Sequence, residues 1–169
     1  IQMKVNSSWV DYLKKHNWSF YITLTFSGKL REEECQNRLF KFFYHLNRSM
    51  YGKRYRESKG KKGIYYFAAS ERQPTSNNLH FHLIVSFPNR HLTTAKRGYF
   101  RNQFERYSKK MIRQAWKKSG GGDIDVQDFP SKDESQANKV IGYCVKQATY
   151  NHLPYFERLD KSMREETHN

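Results

Sequence analysis

Acidic side chains are scarce in this chain: 16 Asp and Glu face 31 Lys and Arg, a formal charge of +15 with a pI near 9.8. That excess goes well beyond what solubility needs and predicts a polyanionic partner. Cysteine is scarcer still. Cys35 and Cys144 alone build neither a disulfide framework nor a closed zinc site, so a reducing, intracellular compartment is expected. No apolar run approaches the about 18 residues of a membrane span, and no basic-then-apolar signal segment opens the chain. A membrane surface is therefore the weaker candidate for the polyanion. Repeats and low-complexity linkers are missing, as is any phosphate loop of the form G-x-x-x-x-G-K-[ST]. The chain starts at Ile1 rather than Met, as expected of a trimmed or partial chain. Its 169 residues suit one domain with a core of its own.

Aromatic residues are abundant: 12 Tyr, 12 Phe and 3 Trp. Cationic charge with available rings is what single-stranded nucleic acid binding uses, through phosphate neutralisation and base stacking. Along the chain, Asn6 or Ser7 is expected to cap a helix running to about His16. Trp18 to Phe26 alternates as a strand, with Phe20, Ile22, Leu24 and Phe26 on one face and Tyr21, Thr23 and Thr25 on the other. Arg31 to Glu34 opens a helix with acids where the dipole favours them, and Leu39, Phe42, Phe43, Leu46 and Met50 give it a buried stripe. A strand from Ile64 to Glu71, a turn from Arg72 to Asn78 and a second strand through Phe87 follow. Tyr99 to Lys118 reads as a helix ended by Gly120-Gly121-Gly122, Asp123 to Gln127 as a fourth strand, and Ser135 to Thr149 as a last helix. The order βαββαβ predicts an α+β, ferredoxin-like antiparallel sheet with both crossover helices on one face. A C-terminal helix bearing Tyr143 is expected on the other face. The core spans about residues 18–150, with 1–17 as an N-terminal helix and 151–169 as a C-terminal tail.

His80-Phe81-His82 carries the most chemistry. On a strand, residues i and i+2 share a face about 7 Å apart, so two imidazoles there can share one ion while Leu79, Phe81, Leu83, Val85 and Phe87 point into a core. Thr23 and Thr25 have the parity to join the histidines. A hairpin would bring Glu71 beside the pair. Two His and one carboxylate leave coordination positions open, which suits Mg²⁺ or Mn²⁺ acting on a substrate rather than structural zinc. Tyr143 and Lys146 lie at i and i+3 on the last helix, where the lysine can support a phenolate or protonate a leaving oxygen. Tyr12/Lys15 and Tyr107/Lys110 repeat that spacing. Only the terminal helix is free to cover the histidine face, and this singles out Tyr143.

Three segments in order, Tyr21-Ile-Thr-Leu-Thr-Phe26, Leu79-His-Phe-His-Leu-Ile-Val85 and Tyr143-Cys-Val-Lys146, resemble the motifs of rolling-circle replication initiators. These are the HUH endonucleases of plasmids, phages and small single-stranded DNA viruses. The resemblance covers about residues 18 to 150. It implies that His80, His82 and Glu71 bind Mg²⁺ or Mn²⁺. It also implies that Tyr143, with Lys146 beside it, attacks a DNA phosphate to give a 5′-phosphotyrosine and a free 3′-hydroxyl. The implied partner is single-stranded DNA or a hairpin at a replication origin, in the cytoplasm of a bacterial host. Without a phosphate loop, unwinding would come from another segment or from a host helicase. Gln147, four residues after Tyr143, also suits single-tyrosine insertion-sequence transposases, in which a glutamine at this spacing helps bind metal. A non-catalytic nucleic-acid binder on the same kind of sheet is a third reading, and would tolerate loss of both histidines.

The densest basic run, Lys53 to Lys62, holds six cations and one anion. Lys53, Arg54, Arg56, Lys59, Lys61 and Lys62 are candidate phosphate contacts on a loop, interleaved with Tyr55 and preceded by Tyr51. Arg72 is a candidate next to Glu71. Lys96, Arg97 and Arg101 form a second patch where cations oppose a helix dipole, a conflict that points to binding.

Overall fold

The computed structural model describes residues 2–58, 63–87, 97–151 and 155–157. The chain divides into two compact units: Ile1–Thr23, Tyr65–Ser86 and Asp125–Asn169 in one, Leu24–Ile64 and Phe87–Ile124 in the other.

The first unit is built on a sheet of strands β1 (Phe20–Leu24), β2 (Tyr65–Arg72), β3 (Leu79–Ser86), β4 (Ile124–Asp128) and β5 (Tyr155–Glu157), in the order β4-β1-β3-β2-β5. The first four strands form the antiparallel, ferredoxin-like core expected of the α+β class. The fifth lengthens the sheet: Tyr155–Glu157, in the stretch expected as a tail, pairs antiparallel with Tyr66–Ala68. In β1 the burial alternates, with Phe20, Ile22 and Leu24 fully covered and Tyr21 and Thr23 partly so. In β3 nearly every position is buried, as in a strand covered on both faces.

Helices α1 (Gln2–Lys14) and α4 (Glu134–Asn151) pack on each other, and α4 packs on β2 and β3. Asp133 starts α4, its Oδ1 accepting from the Gln136 amide at 3.1 Å, with Glu134 in the first turn. Both features complement the helix N-terminus. Ile141, Cys144 and Val145, spaced i, i+3, i+4, turn one apolar face onto Phe67, Ala69 and Ile84 of the sheet and Trp9 and Leu13 of α1. Each fully buried aliphatic side chain contributes about 1.5–3 kcal/mol, enough for three together to hold the helix down. Trp18 closes the end of α1 by donating Nε1–H to the Leu13 carbonyl at 2.8 Å.

In the second unit, α2 (Glu32–Tyr51) packs on α3 (Arg97–Lys118). The α2 stripe is the expected one, with Cys35 and Asn47 added. Asn47 is satisfied locally, accepting from the Ile64 amide at 2.9 Å and donating to the Phe43 carbonyl at 3.0 Å. Trp116 lies edge-on to Phe26 and Phe42. After α3, Gly120 takes a left-handed φ of +74°, the usual helix stop. A Cβ on Gly121 would lie 2.0 Å from the Trp116 ring, so only glycine fits there. Tyr55–Ser58 forms a 3₁₀ turn inside the basic run that was expected to be loop throughout. Among the described residues no helix is long and apolar enough to cross a membrane.

Candidate active site

The site lies within the first unit and begins with a register. Glu71 on β2 is directly opposite His80 on β3, and Ala69 is opposite His82. A tight turn fixes that pairing. Gln73 N–H donates to Asn78 O at 3.0 Å, Asn77 N–H to Gln73 O at 2.8 Å, and Asn77 takes a left-handed φ of 56°, which Asn tolerates better than most residues. A slip of one residue would turn both imidazoles to the opposite face.

Three donors then converge on one atom. Glu71 Oε2 accepts from His80 Nε2 at 3.0 Å, His82 Nε2 at 2.9 Å and the Tyr143 hydroxyl at 2.7 Å. The two imidazoles stand nearly perpendicular, with centroids 4.8 Å apart, and Tyr143 stands edge-on to His82 at 5.1 Å. His82 is 7% exposed, whereas Tyr143 is 39% exposed. The ligand group is thus enclosed while the phenol is open to a substrate. Burial pushes the Glu71 carboxyl up, but hydrogen bonds from Tyr143, His82 and His80 outweigh it and hold the group below its ordinary value. Burial, reinforced by the neighbouring His80, pushes His82 below the ordinary imidazole value despite Glu71. A neutral imidazole and an ionised carboxylate are the forms that ligate metal.

The residues fit a divalent ion. Their ligand atoms all lie within 4.8 Å of one another. The N···O separations of 2.9 and 3.0 Å match those between adjacent ligands of an ion bonded at about 2.1 Å. His80 Nδ1 is buried and has no hydrogen-bond partner among the described residues. The ring therefore has only its Nε2, aimed at Glu71, with which to take part in the cluster.

Behind His82 lie two hydroxyls. Tyr21 OH is 3.1 Å and Thr23 Oγ1 3.3 Å from Nδ1, with the Tyr21 ring stacked on the imidazole at an interplanar angle of 13°. Burial raises the Tyr21 phenol above its ordinary value and keeps it protonated. Thr23 joins the histidines as expected, but Thr25 does not. It lies beyond the end of β1 and donates to the Asp123 carbonyl at 2.9 Å. Tyr21 was not foreseen as a site residue, although its parity with Thr23 on β1 was the available signal.

The remaining candidates are dispersed. Lys146 is exposed on α4, one turn from Tyr143. Arg72 is exposed and donates to the Asn77 carbonyl across the turn at 3.3 Å. Lys53, Arg54 and Arg56 are exposed in the second unit. Arg54 pairs with Glu57 at 2.5 Å, and Arg56 lies 5.0 Å over the Tyr44 ring. Lys59, Lys61, Lys62 and Lys96 lie outside the described residues, as do the side chains of Arg97 and Arg101 on α3 and of Gln147 on α4. Tyr12 of the alternative pair packs its ring against His16 and Trp9, away from the cluster.

A ferredoxin-like antiparallel sheet with an H-x-H pair, a cross-strand carboxylate and a helical tyrosine defines the HUH class. A family model for the ORF2 type of replication-associated protein matches residues 19–151, and the chain belongs to that family, one of rolling-circle replication initiators. No curated protein and no solved structure matches it significantly.

Proposed function

We propose that this replication-associated protein nicks and rejoins single-stranded DNA at an origin through a covalent tyrosyl intermediate, using an ion held by His80, His82 and Glu71. One observation carries the reading. The Tyr143 hydroxyl, 72 residues from Glu71 in sequence, meets it at 2.7 Å, on the oxygen that also takes both imidazoles. Mg²⁺ or Mn²⁺ suits two nitrogens and one carboxylate with open positions, and when bound would offset charge on the scissile phosphate.

The protein's own groups do the rest. Tyr143 Oη attacks phosphorus, so an Oη–P bond forms as the P–O3′ bond breaks. The phenol proton leaves along its hydrogen bond toward Glu71. A carboxyl held below its ordinary value is a weak base and passes the proton on rather than keeping it. The departing 3′-oxygen takes a proton from water, and Lys146 adds positive potential one turn from the nucleophile. The products are a 5′-phosphotyrosine and a 3′-hydroxyl, and attack by that hydroxyl restores the strand. Family membership favours origin nicking over transposition.

The test is a denaturing gel of protein with labelled single-stranded fragments tiling its replicon, in Mn²⁺ or EDTA. A metal-dependent adduct that disappears in Tyr143→Phe is the expected result. Tyr143 is exposed, so this variant should fold normally. Cleavage without an adduct would make water the nucleophile. Binding alone, indifferent to EDTA and to His80→Ala and His82→Ala, would reduce the protein to a binding module.

A further inference from the structure

The second unit holds a cationic cavity that the cutting chemistry does not use. It measures about 420 Å³ and is lined by Tyr44, His45, Arg48 and Ser49 of α2, Lys53 just beyond it and Lys118 at the end of α3. That volume is at the small end for ligand sites, about 300–1,000 Å³, enough for a phosphate and its sugar. No carboxylate lines it. The nearby Glu57 is engaged by Arg54 at 2.5 Å.

Helix dipoles explain part of this. Arg48 and Lys118 stand in the last turns of α2 and α3, where cations are favoured. They do not explain why both helix ends and Lys53 face one cavity, where like charges repel. The repulsion registers on His45: burial, then Lys118, Arg48 and Lys41, hold its imidazole below the ordinary value. One wall is organised for stacking. Arg48 and Arg56 lie 5.3 and 5.0 Å from the Tyr44 ring centroid, and Arg48 also donates to the Tyr44 hydroxyl. Oriented guanidiniums on a ring, with ammonium groups beside them, are the elements of a phosphate-backbone subsite.

We infer that this cavity binds a phosphodiester of single-stranded nucleic acid, with Arg48, Lys53 and Lys118 contacting phosphate and Tyr44 presenting Arg48 and Arg56. The inference does not depend on whether Tyr143 cuts. It accounts for Lys53 and Arg56, already candidates by sequence, and adds Tyr44, His45, Arg48 and Lys118, which distant segments bring together.

The test is fluorescence anisotropy of a labelled oligothymidylate with the full chain in EDTA, where no cleavage is possible, across a salt series. Lys53→Gln with Lys118→Gln changes two exposed residues and should leave the fold intact. Removing one cation that neutralises a single-strand phosphate lowers the slope of log K against log salt by about 0.7, so this pair should lower it by about 1.4 and weaken binding about tenfold at physiological salt. Lys14→Gln with Lys15→Gln, the same charge change on exposed residues of α1 and its end, should leave the slope unchanged. Arg48→Gln alone should lower it by about 0.7. His45 ring resonances should move with the oligonucleotide and not with equimolar inorganic phosphate. Equal weakening in both double variants, or none in either, would overturn the site. A His45 response to phosphate alone would make it a free-anion site and overturn the strand assignment. A missing Tyr143 adduct would leave all these results standing.

Discussion

His82 is gripped at both nitrogens, and this bears on how the cluster takes an ion. With Nε2 facing Glu71 at 2.9 Å, the apo ring donates from Nε2 and accepts at Nδ1 from Tyr21 or Thr23. Ligating through Nε2 requires the proton to sit on Nδ1, where the same hydroxyls can accept it. Removing such a partner typically weakens metal affinity by about 10–100-fold. Tyr21→Phe should therefore weaken Mn²⁺ binding about tenfold by electron paramagnetic resonance, with folding retained. Unchanged affinity would show that Thr23 suffices. The titrations of His82 and Glu71 set a pH dependence. Folding lowers His82 from 6.5 and Glu71 from 4.5, so the unfolded chain binds more protons across each window. Each contribution is full above the unfolded value and is lost as pH falls through the folded one. In EDTA, Tm should fall on acidification, first below 6.5 as His82 is forced to charge and again below 4.5. His82→Asn should flatten the upper step and Glu71→Gln the lower one. A profile as steep in both variants as in the parent would place the responsible groups elsewhere.

At the scale of elements, what was legible had a local rule behind it. The period of two put His80 and His82 on one face, and hairpin geometry put Glu71 opposite them, because a short turn leaves few registers. Tyr143 could be singled out because only one helix lacked a place in the βαββαβ frame. What stayed hidden depends on long-range placement. Thr25 has the parity of Thr23, but β1 stops at Leu24, and nothing local announces it. The pairing of Tyr155–Glu157 on β2 is an edge event with no signal beyond three strand-compatible residues. The docking of α4 lies between these cases: its apolar spacing was readable, its partners Trp9 and Phe67 were not. That docking delivers the nucleophile. Ile141→Ala should cost about 2–4 kcal/mol, a drop of several degrees in Tm. It should reduce adduct yield more than Mn²⁺ affinity, because the ligands sit on strands and Tyr143 on the loosened helix. Metal affinity falling in step with adduct yield would mean that α4 also holds the sheet in register.

For the whole molecule, charge and chemistry are separable. A surplus of 15 positive charges over 169 residues works at the range of the Debye length, about 8 Å in physiological salt. It draws in a strand whatever its sequence. The Glu71, His80, His82 and Tyr143 cluster acts only on a phosphate that touches it. The region matched to the replication family, residues 19–151, runs through both compact units, so one chain carries the candidate chemistry in the first and the cationic cavity in the second. EDTA should then abolish adduct formation while leaving strand affinity within about twofold, because phosphate neutralisation rather than the ion supplies most of the binding energy. Salt should do the converse. With about six phosphate contacts, affinity should drop about 300-fold between about 50 and 200 mM. Adduct formation at saturating DNA should fall far less, because the strand is already bound. Anisotropy and single-turnover gels on the same samples measure both. If EDTA instead weakened binding as much as salt does, the ion would be a principal DNA contact, and the surface charge would serve encounter more than affinity.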